Sequence, residues 1–306
     1  MPRKLRLEYP GAIYHVMNRG DRREDIVWDE ADRRRFAETL GEACGKTGWQ
    51  VHAWCLMRNH FHLVVETPQP NLVAGMQWLL GTYTARFNRR HKVFGHLFSG
   101  RYKSLIVDGA GGGYLKTVCD YVHLNPARAR LLKPEEPLSA FAWSSYPLYL
   151  SPPSRRPPWL RVGRLLGEWG VRRDDRQGRQ EFQRGMEQRR REKPEDLKRL
   201  RRGWCLGDDG FREKLLALLG EEVGEHHYGK EIRESVEARA ERLVAEGLSQ
   251  AGWRESDLEL RPKGDGVKVG LARRLRQETT LGWRWIATRL RMGHWRSAAN
   301  AVRLQQ

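Results

Sequence analysis

His60 and His62 flank Phe61 within residues 54–67, and two imidazoles at i and i+2 are the best-spaced chemical groups in this chain. Side chains alternate faces along a strand, so both imidazoles would point one way and Phe61 the other, into a core. Two such donors on a rigid strand can hold one divalent cation from adjacent positions. A pair of ordinary, partly buried histidines is the plainer alternative. The spacing gains meaning only from a nucleophile and a further polar ligand elsewhere, and residues 114–126 contain both. On a helix, Tyr121 and Asn125 stand i and i+4 and share a face. A tyrosine hydroxyl can attack a phosphodiester in line where a metal polarises the phosphate. The Asn125 amide oxygen, one turn on, could complete the coordination, although Pro126 biases Asn125 away from helical torsions. Imidazole and oxygen ligands with open positions suit Mg²⁺ or Mn²⁺ better than a closed zinc site.

The elements that must position these groups are legible as hydrophobic periods. Residues 12–17 alternate and end at Asn18-Arg19-Gly20, a strand and a turn. Phe36, Leu40, Ala43 and Cys44 predict a helix over 29–47. A hairpin over 51–67 turns at Arg58-Asn59; if that turn has two residues, Cys55 stands opposite His62, where a thiolate could in principle ligate. Asn71 is placed to cap a helix running to about residue 90, with Leu72, Met76, Leu79, Leu80, Tyr83 and Phe87 inward. Residues 98–107 read as a strand, and the glycines from 109 to 113 open a helix over 114–124. This order predicts an α+β fold, an antiparallel sheet with helices packed on it.

That first unit is expected to close near Leu150, followed by a stiff proline-rich linker over 151–158 and an exposed, charged, broken helix over 172–202. From about residue 207 the pattern is helical. Residues 271–277 form one short helix, Thr280 is placed to cap a second through Leu290, and Met292-Gly293-His294 turns into a third over 295–304. Helix, glycine turn, helix is the layout that sets its second helix in a DNA major groove. Arg296, Ser297, Asn300 and Arg303 would be its reading side chains; a plain helical hairpin is the alternative.

Composition points the same way. The chain has 306 residues and a net charge of +18, with a pI of about 10.2. Residues 1–150 carry +7 and the remainder +11, so the excess is no basic tail and favours a polyanionic partner over a merely soluble arginine-rich protein. Arg86, Arg89, Arg90, Lys92, Arg101 and Lys103 are candidates to neutralise phosphates, with Tyr102 and Phe98 to stack on bases. His15 and His123 could touch DNA or the metal shell, or be structural. The four cysteines are scattered without a Cys-x-x-Cys pair, so neither a zinc knuckle nor a disulfide framework is expected. No apolar run is long enough to span a bilayer and the N-terminus leads into no signal-type core. A cytoplasmic location with no membrane partner is expected.

Four motifs occur in order: Tyr14-His-Val-Met-Asn-Arg-Gly20, Met57-Arg-Asn-His-Phe-His-Leu63, Gly100-Arg-Tyr-Lys-Ser104 and Tyr121-Val-His-Leu-Asn-Pro126. On them the chain resembles the single-tyrosine HUH transposases, in particular the REP-associated tyrosine transposase group. The resemblance covers roughly residues 5–150. It implies a ferredoxin-like fold for an HUH domain over 1–150, before a linker and charged helical segment over 151–206. A mostly helical region over 207–306 would end in a helix-turn-helix-like module, similar to those of bacterial replication initiators. It implies a divalent metal, Mg²⁺ or Mn²⁺, held by His60 and His62. Tyr121 becomes the nucleophile, forming a 5′-phosphotyrosine link to single-stranded DNA and releasing a 3′-OH. Asn125 falls where such enzymes carry a polar metal or site residue, and Arg58 where proline is frequent. The implied partners are single-stranded or hairpin DNA, including repeated palindromic elements, and a second copy of the chain as a homodimer. The expectation is a metal-dependent transposase or endonuclease that cleaves and rejoins such DNA. A non-catalytic, sequence-specific DNA-binding regulator using the C-terminal helices is the rival. A zinc hydrolase lacks a third ligand at motif spacing.

Overall fold

β1 (Ala12–Arg19) is buried along nearly its whole length, as a central strand is, and that is its place in the computed structural model, which describes residues 7–192, 200, 203–222 and 228–304. β1 pairs antiparallel with β3 (His60–Thr67) on one side and with β4 (Lys103–Val107) on the other. β2 (Gln50–Leu56) pairs antiparallel with β3 on the outer edge. The β2–β3 turn is the two-residue Arg58-Asn59 turn, closed by Met57 N–H donating to the His60 carbonyl at 2.8 Å. The order β2-β3-β1-β4, built by a βαββαβ chain, is the ferredoxin-like arrangement. A two-residue strand, β5 (Cys205–Leu206), adds to β4 in parallel. Nothing in its local sequence announced it, because two residues carry no period.

Two helices cover the Phe61 face. In α1 (Glu30–Thr47) the Asp29 carboxylate accepts from the N–H groups of Ala31 and Asp32, and Gly48 ends the helix in the left-handed region. The Phe61 ring meets Phe36 of α1 at 5.2 Å, and Phe36 in turn meets Tyr83 of α2 (Leu72–His91) at 5.1 Å. Asn71 starts α2 but does not cap it with its side chain; its Oδ1 accepts instead from the buried Trp49 indole at 2.8 Å. β4 is shorter than the expected 98–107 strand, because Phe98 reaches only an isolated bridge with Gly20.

The opposite face, with His60 and His62, is covered by α3 (Tyr114–His123), which packs on β2 and β3. A four-residue helix, α4 (Asn125–Arg128), follows at once. Behind α3 stand α5 (Tyr146–Leu150), α6 (Gly163–Glu168) and α7 (Arg176–Arg191). The proline-rich stretch after residue 150 is not a free linker. Residues 143–161 run along the exposed edge of β2: Leu56 and Val51 donate to the carbonyls of Trp143 and Trp159, and Ser145 and Arg161 donate back to those of Trp54 and Val51. Covering an edge strand removes a template for aggregation, and proline, which lacks an N–H, is tolerated there. Nor is the charged helix merely exposed: Gly178, Phe182 and Met186 form a buried stripe at four-residue spacing on α7. The rest of that expected helix lies largely outside the described residues.

Two compact units result, one of residues 1–44 and 48–221 and the other of 45–47 and 222–306. In the first, α8 (Asp209–Glu222) follows β5. The second is built from α9 (Tyr228–Gln250), α10 (Asp257–Leu260), α11 (Gly266–Glu278), α12 (Trp283–Arg289) and α13 (Trp295–Leu304). Its core joins Val244, Leu248, Val269, Leu275, Ile286 and Val302. Thr280 does not cap α12; Gly282 precedes that helix. Among the described residues no helix is long and apolar enough to cross a membrane.

Gly75 offers a sign test of the α2 packing. A methyl group there would sit well inside contact distance of the fully buried Trp49 ring. Gly75→Ala, which in an open helix stabilises by ~1 kcal/mol, should here destabilise by about 1–3 kcal/mol. A urea midpoint at or above wild type would show that the indole yields.

Candidate active site

Strand register gathers the first half of the site. His62 stands in one cross-strand row with Cys55 of β2, Met17 of β1 and Lys103 of β4, while His60 faces Arg19. His15, which pairs with Val64, is therefore the diagonal neighbour of His62 on the same face. The two rings stack with centroids 5.3 Å apart and planes 19° apart. The His60 and His62 rings stand 5.2 Å apart and nearly perpendicular.

The hydrogen bonds at these rings bear on where their lone pairs lie. His60 Nδ1 is 2.8 Å from Asn59 Oδ1; an amide oxygen only accepts, so Nδ1 carries the proton and Nε2 keeps a lone pair. His15 Nε2 and His62 Nδ1 are 3.0 Å apart, and one of them must donate to the other. When His62 Nδ1–H donates to His15, Nε2 of His62 also presents a lone pair. This is the usual support of a metal-binding histidine, whose second nitrogen is fixed by an outer partner. Burial lowers the pKa of His15 to about 4. His60 falls to about 4 as well, through burial first and the nearby Arg19 cation second. Both imidazoles are neutral at neutral pH, the form that ligates. Cys55 does stand opposite His62, but its thiol is fully buried, points to Met57 Sδ at 3.6 Å and is held protonated by desolvation. It is no thiolate ligand.

Helix α3 brings the second half. The Tyr121 ring lies edge-on to His62 at 5.6 Å and to His15 at 5.7 Å. The Arg128 guanidinium lies 5.4 Å from its centroid. Asn125 does not continue α3; Leu124 intervenes in a helical conformation and Asn125 opens α4. Its amide Nδ2 is buried without a hydrogen-bond partner. The amide carries both an acceptor oxygen and a donor nitrogen, so either end of that side chain can meet a ligand. Among the described residues no three His, Cys, Asp or Glu side chains gather as a metal set. The two imidazoles and this amide are nitrogen and oxygen donors of the kind a divalent cation takes.

Residues beyond the motifs brace α3. Asp120, next to Tyr121, accepts from the Trp169 indole at 3.0 Å and pairs with Arg189 of α7 at 3.0 Å. Burial still raises its pKa to about 6, against the pull of Arg189, the Trp169 bond and Lys116. His123 points away from the site: its Nε2 is 2.8 Å from Ser145 Oγ, and its ring packs among Tyr146, Tyr149 and Phe182. Its role is structural, whereas His15, read in sequence with the same two options, belongs to the site.

The expected DNA contacts divide. Lys103 is exposed and lies in the His62 row. Arg89, Lys92 and Arg101 are exposed. Arg86 and Arg90 are engaged by α1 carboxylates, the first by Glu42 and the second by Asp29 and Asp32. Arg86, Arg89 and Arg90 stand on α2, which covers the Phe61 face, away from the histidines. Tyr102 is only 7% exposed and Phe98 packs on Phe61 and Tyr83, so neither ring offers a stacking platform. Arg296, Ser297, Asn300 and Arg303 are all exposed on α13, while Ala298, Ala299 and Val302 face its core. Sequence reading missed Arg19 and Arg128. Arg19 was findable, since alternation places it on the face of His15; Arg128 needed the break after His123.

Residues 9–125 match the family model described as "Transposase IS200 like". No curated protein matches the chain. A solved structure described as the REP-associated tyrosine transposase bound to a REP hairpin is similar at 12% identity and a TM-score of 0.41, covering 48% of this chain and 84% of that one.

Burial lowers the His123 pKa to about 3, so the folded protein resists a proton that the unfolded chain takes up below about pH 6.5. Stability should therefore be full above that pH and fall as pH drops toward 3. Between pH 7 and 5 this residue alone should account for a loss on the order of 2 kcal/mol. In His123→Gln, urea midpoints should depend less steeply on pH over that range; an unchanged dependence would rule out His123 as the source.

Proposed function

Taking residues 9–125 as a member of the IS200-like transposase family, we propose that the chain cleaves and rejoins single-stranded or hairpin DNA through a 5′-phosphotyrosine on Tyr121. The observation that carries this reading is the packing of Tyr121 against His62 and His15, beside imidazoles that can present Nε2 lone pairs. His60, His62 and the Asn125 amide would hold a divalent cation, Mg²⁺ or Mn²⁺. When bound, such a cation supplies Lewis-acid polarisation of the scissile phosphate. The protein's own part is orientation. Imidazole edges and the Arg128 cation fix the phenol ring, and Arg19 and Lys103 favour an anion over the histidine face. The Tyr121 oxygen bonds to phosphorus as the bond to the 3′-oxygen breaks; the phenolic proton passes to solvent and the leaving 3′-oxygen takes up a proton. Attack by a 3′-OH on the same phosphorus reverses the step and rejoins strands.

The four exposed polar residues on α13 suit a duplex-reading surface added to this enzyme, with α12 and α13 as a helix-turn-helix-like pair. If that surface were the whole function, the chain would be a DNA-binding regulator. A cytoplasmic, homodimeric protein acting on repeated palindromic elements is the setting that the family resemblance suggests.

Labelled single-stranded hairpin oligonucleotides from repeats flanking the gene, incubated with Mg²⁺ or Mn²⁺ and run on a denaturing gel, test the reading. A covalent protein–DNA band is expected with wild type, none with Tyr121→Phe and none in chelator. Binding without any adduct across several flanking sequences would favour the regulator.

Orientation of His62 by His15 has its own readout. His15→Phe should weaken Mn²⁺ binding, followed by electron paramagnetic resonance, by roughly 10–100-fold. His15→Gln keeps an acceptor and should lose far less. Equal affinity in all three proteins would show that His15 has no hold on the ligand.

A further inference from the structure

Behind Tyr121 lies a cleft of about 910 Å³ between residues 124–136 and the end of α7. Arg128 joins the two: it lines this cleft and its guanidinium also lies 5.4 Å from the Tyr121 ring centroid. We infer that the cleft binds the sugar–phosphate backbone of a single-stranded DNA flank that continues from the phosphate at Tyr121. The inference rests on the tyrosine-nucleophile reading above, and extends it to residues outside the family match at 9–125.

The charges of the cleft sort into those that build it and those that face solvent. Arg189 is committed to the buried Asp120 carboxylate. Arg190 donates to the carbonyls of Lys133 and Glu136, stapling α7 to the opposite wall. Arg128, Arg130, Lys133 and Arg191 are exposed around the opening. Two of the three carboxylates there are occupied by backbone donors: Glu136 accepts from Lys133 N–H and Glu187 from Leu138 N–H, each at 2.7 Å. The lining carries six Arg or Lys side chains against three Glu, and this excess of positive charge is complementary to a polyanion. Leu131, half exposed between Arg130 and Lys133, gives the apolar surface that sugars and base faces need. The cleft holds no aromatic side chain, so stacking is not its mode. Phosphate neutralisation is, and this predicts sequence-tolerant, salt-sensitive binding.

The test uses the full-length chain and fluorescein-labelled hairpin oligonucleotides, bare or with a ten-nucleotide thymidine tail on the 5′ or the 3′ side. The variant is Arg130→Gln/Lys133→Gln/Arg191→Gln, which leaves Arg128, Arg189 and Arg190 in place. Wild type should bind one tailed hairpin more tightly than the bare one, and the side that helps identifies the flank. The triple variant should bind the bare hairpin like wild type and lose most of the gain from the tail. Its plot of log affinity against log salt should be shallower by about 2 for the tailed substrate, from three lost contacts at about 0.7 each. Thiothymidine in the tail should crosslink to residues 128–136 or 187–192. An equal gain and slope in wild type and variant, with crosslinks elsewhere, overturns the proposal. So does an equal gain from a double-stranded tail, which would make the cleft a duplex site. Absence of any Tyr121 adduct on either tailed hairpin, with wild type and Mg²⁺ or Mn²⁺, instead overturns the underlying reading. The two failures are distinct, because one is read on the nucleophile and the other on the tail.

Discussion

Burial of α3 on both sides is the constraint on which this molecule turns. The sheet lies against one side of the helix, and α5 to α7 against the other, so residues 118–123 are all buried. A helix so enclosed cannot leave its polar side chains to water, and two of them meet fixed partners. Asp120 has the Trp169 indole and Arg189; His123 has the Ser145 hydroxyl, which itself bonds the backbone of Trp54 on β2. Breaking one partner of a buried ion pair typically costs about 3–5 kcal/mol. These links therefore resist rotation of α3, and any rotation would swing Tyr121 off the histidines. The segment after residue 125 is thus part of the site's geometry although it carries none of its motifs.

A second constraint acts in the sheet. His15 reaches His62 only because β1 and β3 pair with Met17 opposite His62. A slip of one residue would move all of His15, Met17 and Arg19 to the other face. Register is protected from both sides. The two-residue Arg58-Asn59 turn fixes β2 against β3, and the hydrophobic Phe61 face, packed on Phe36 and Phe98, has no polar alternative to offer. The core and the site are two faces of the same pairing, so a sequence that folds one correctly also assembles the other.

This explains what could be read without coordinates. Strand alternation alone puts His60 and His62 together and Phe61 apart; helix spacing alone buries Met76, Leu79, Tyr83 and Phe87. Both are local periods. Cross-strand partners are not local, so His15 could not be assigned to His62, nor Arg19 to His60. Tyr102 misled because its basic neighbours Arg101 and Lys103 are exposed while its own ring turns inward. The proline-rich stretch misled for a related reason. Prolines mark a segment that makes few ladder bonds, and the stretch is equally suited to a linker and to the cover of an edge strand. Only the donors on either side of it, at Ser145 and Arg161, distinguish the two. Arg128 depended on a helix restarting after Leu124, a break that Pro126 hints at but does not orient.

Charge is arranged around this centre by depth. The chain as a whole carries +18, yet the site imidazoles of His15 and His60 are neutral, because burial strips a cation of its hydration. Positive charge is held instead at the rim, by Arg19 beside His60, Lys103 along the His62 row and Arg128 over Tyr121. The separation lets two demands coexist. On the proposed reading, a phosphodiester would be drawn by the rim, whose field reaches outward at low salt. Lone pairs stay available below it, since no proton competes for them near neutral pH. Had the histidines themselves supplied the positive charge, the same protons that attracted an anion would have occupied the nitrogen lone pairs that a cation would need.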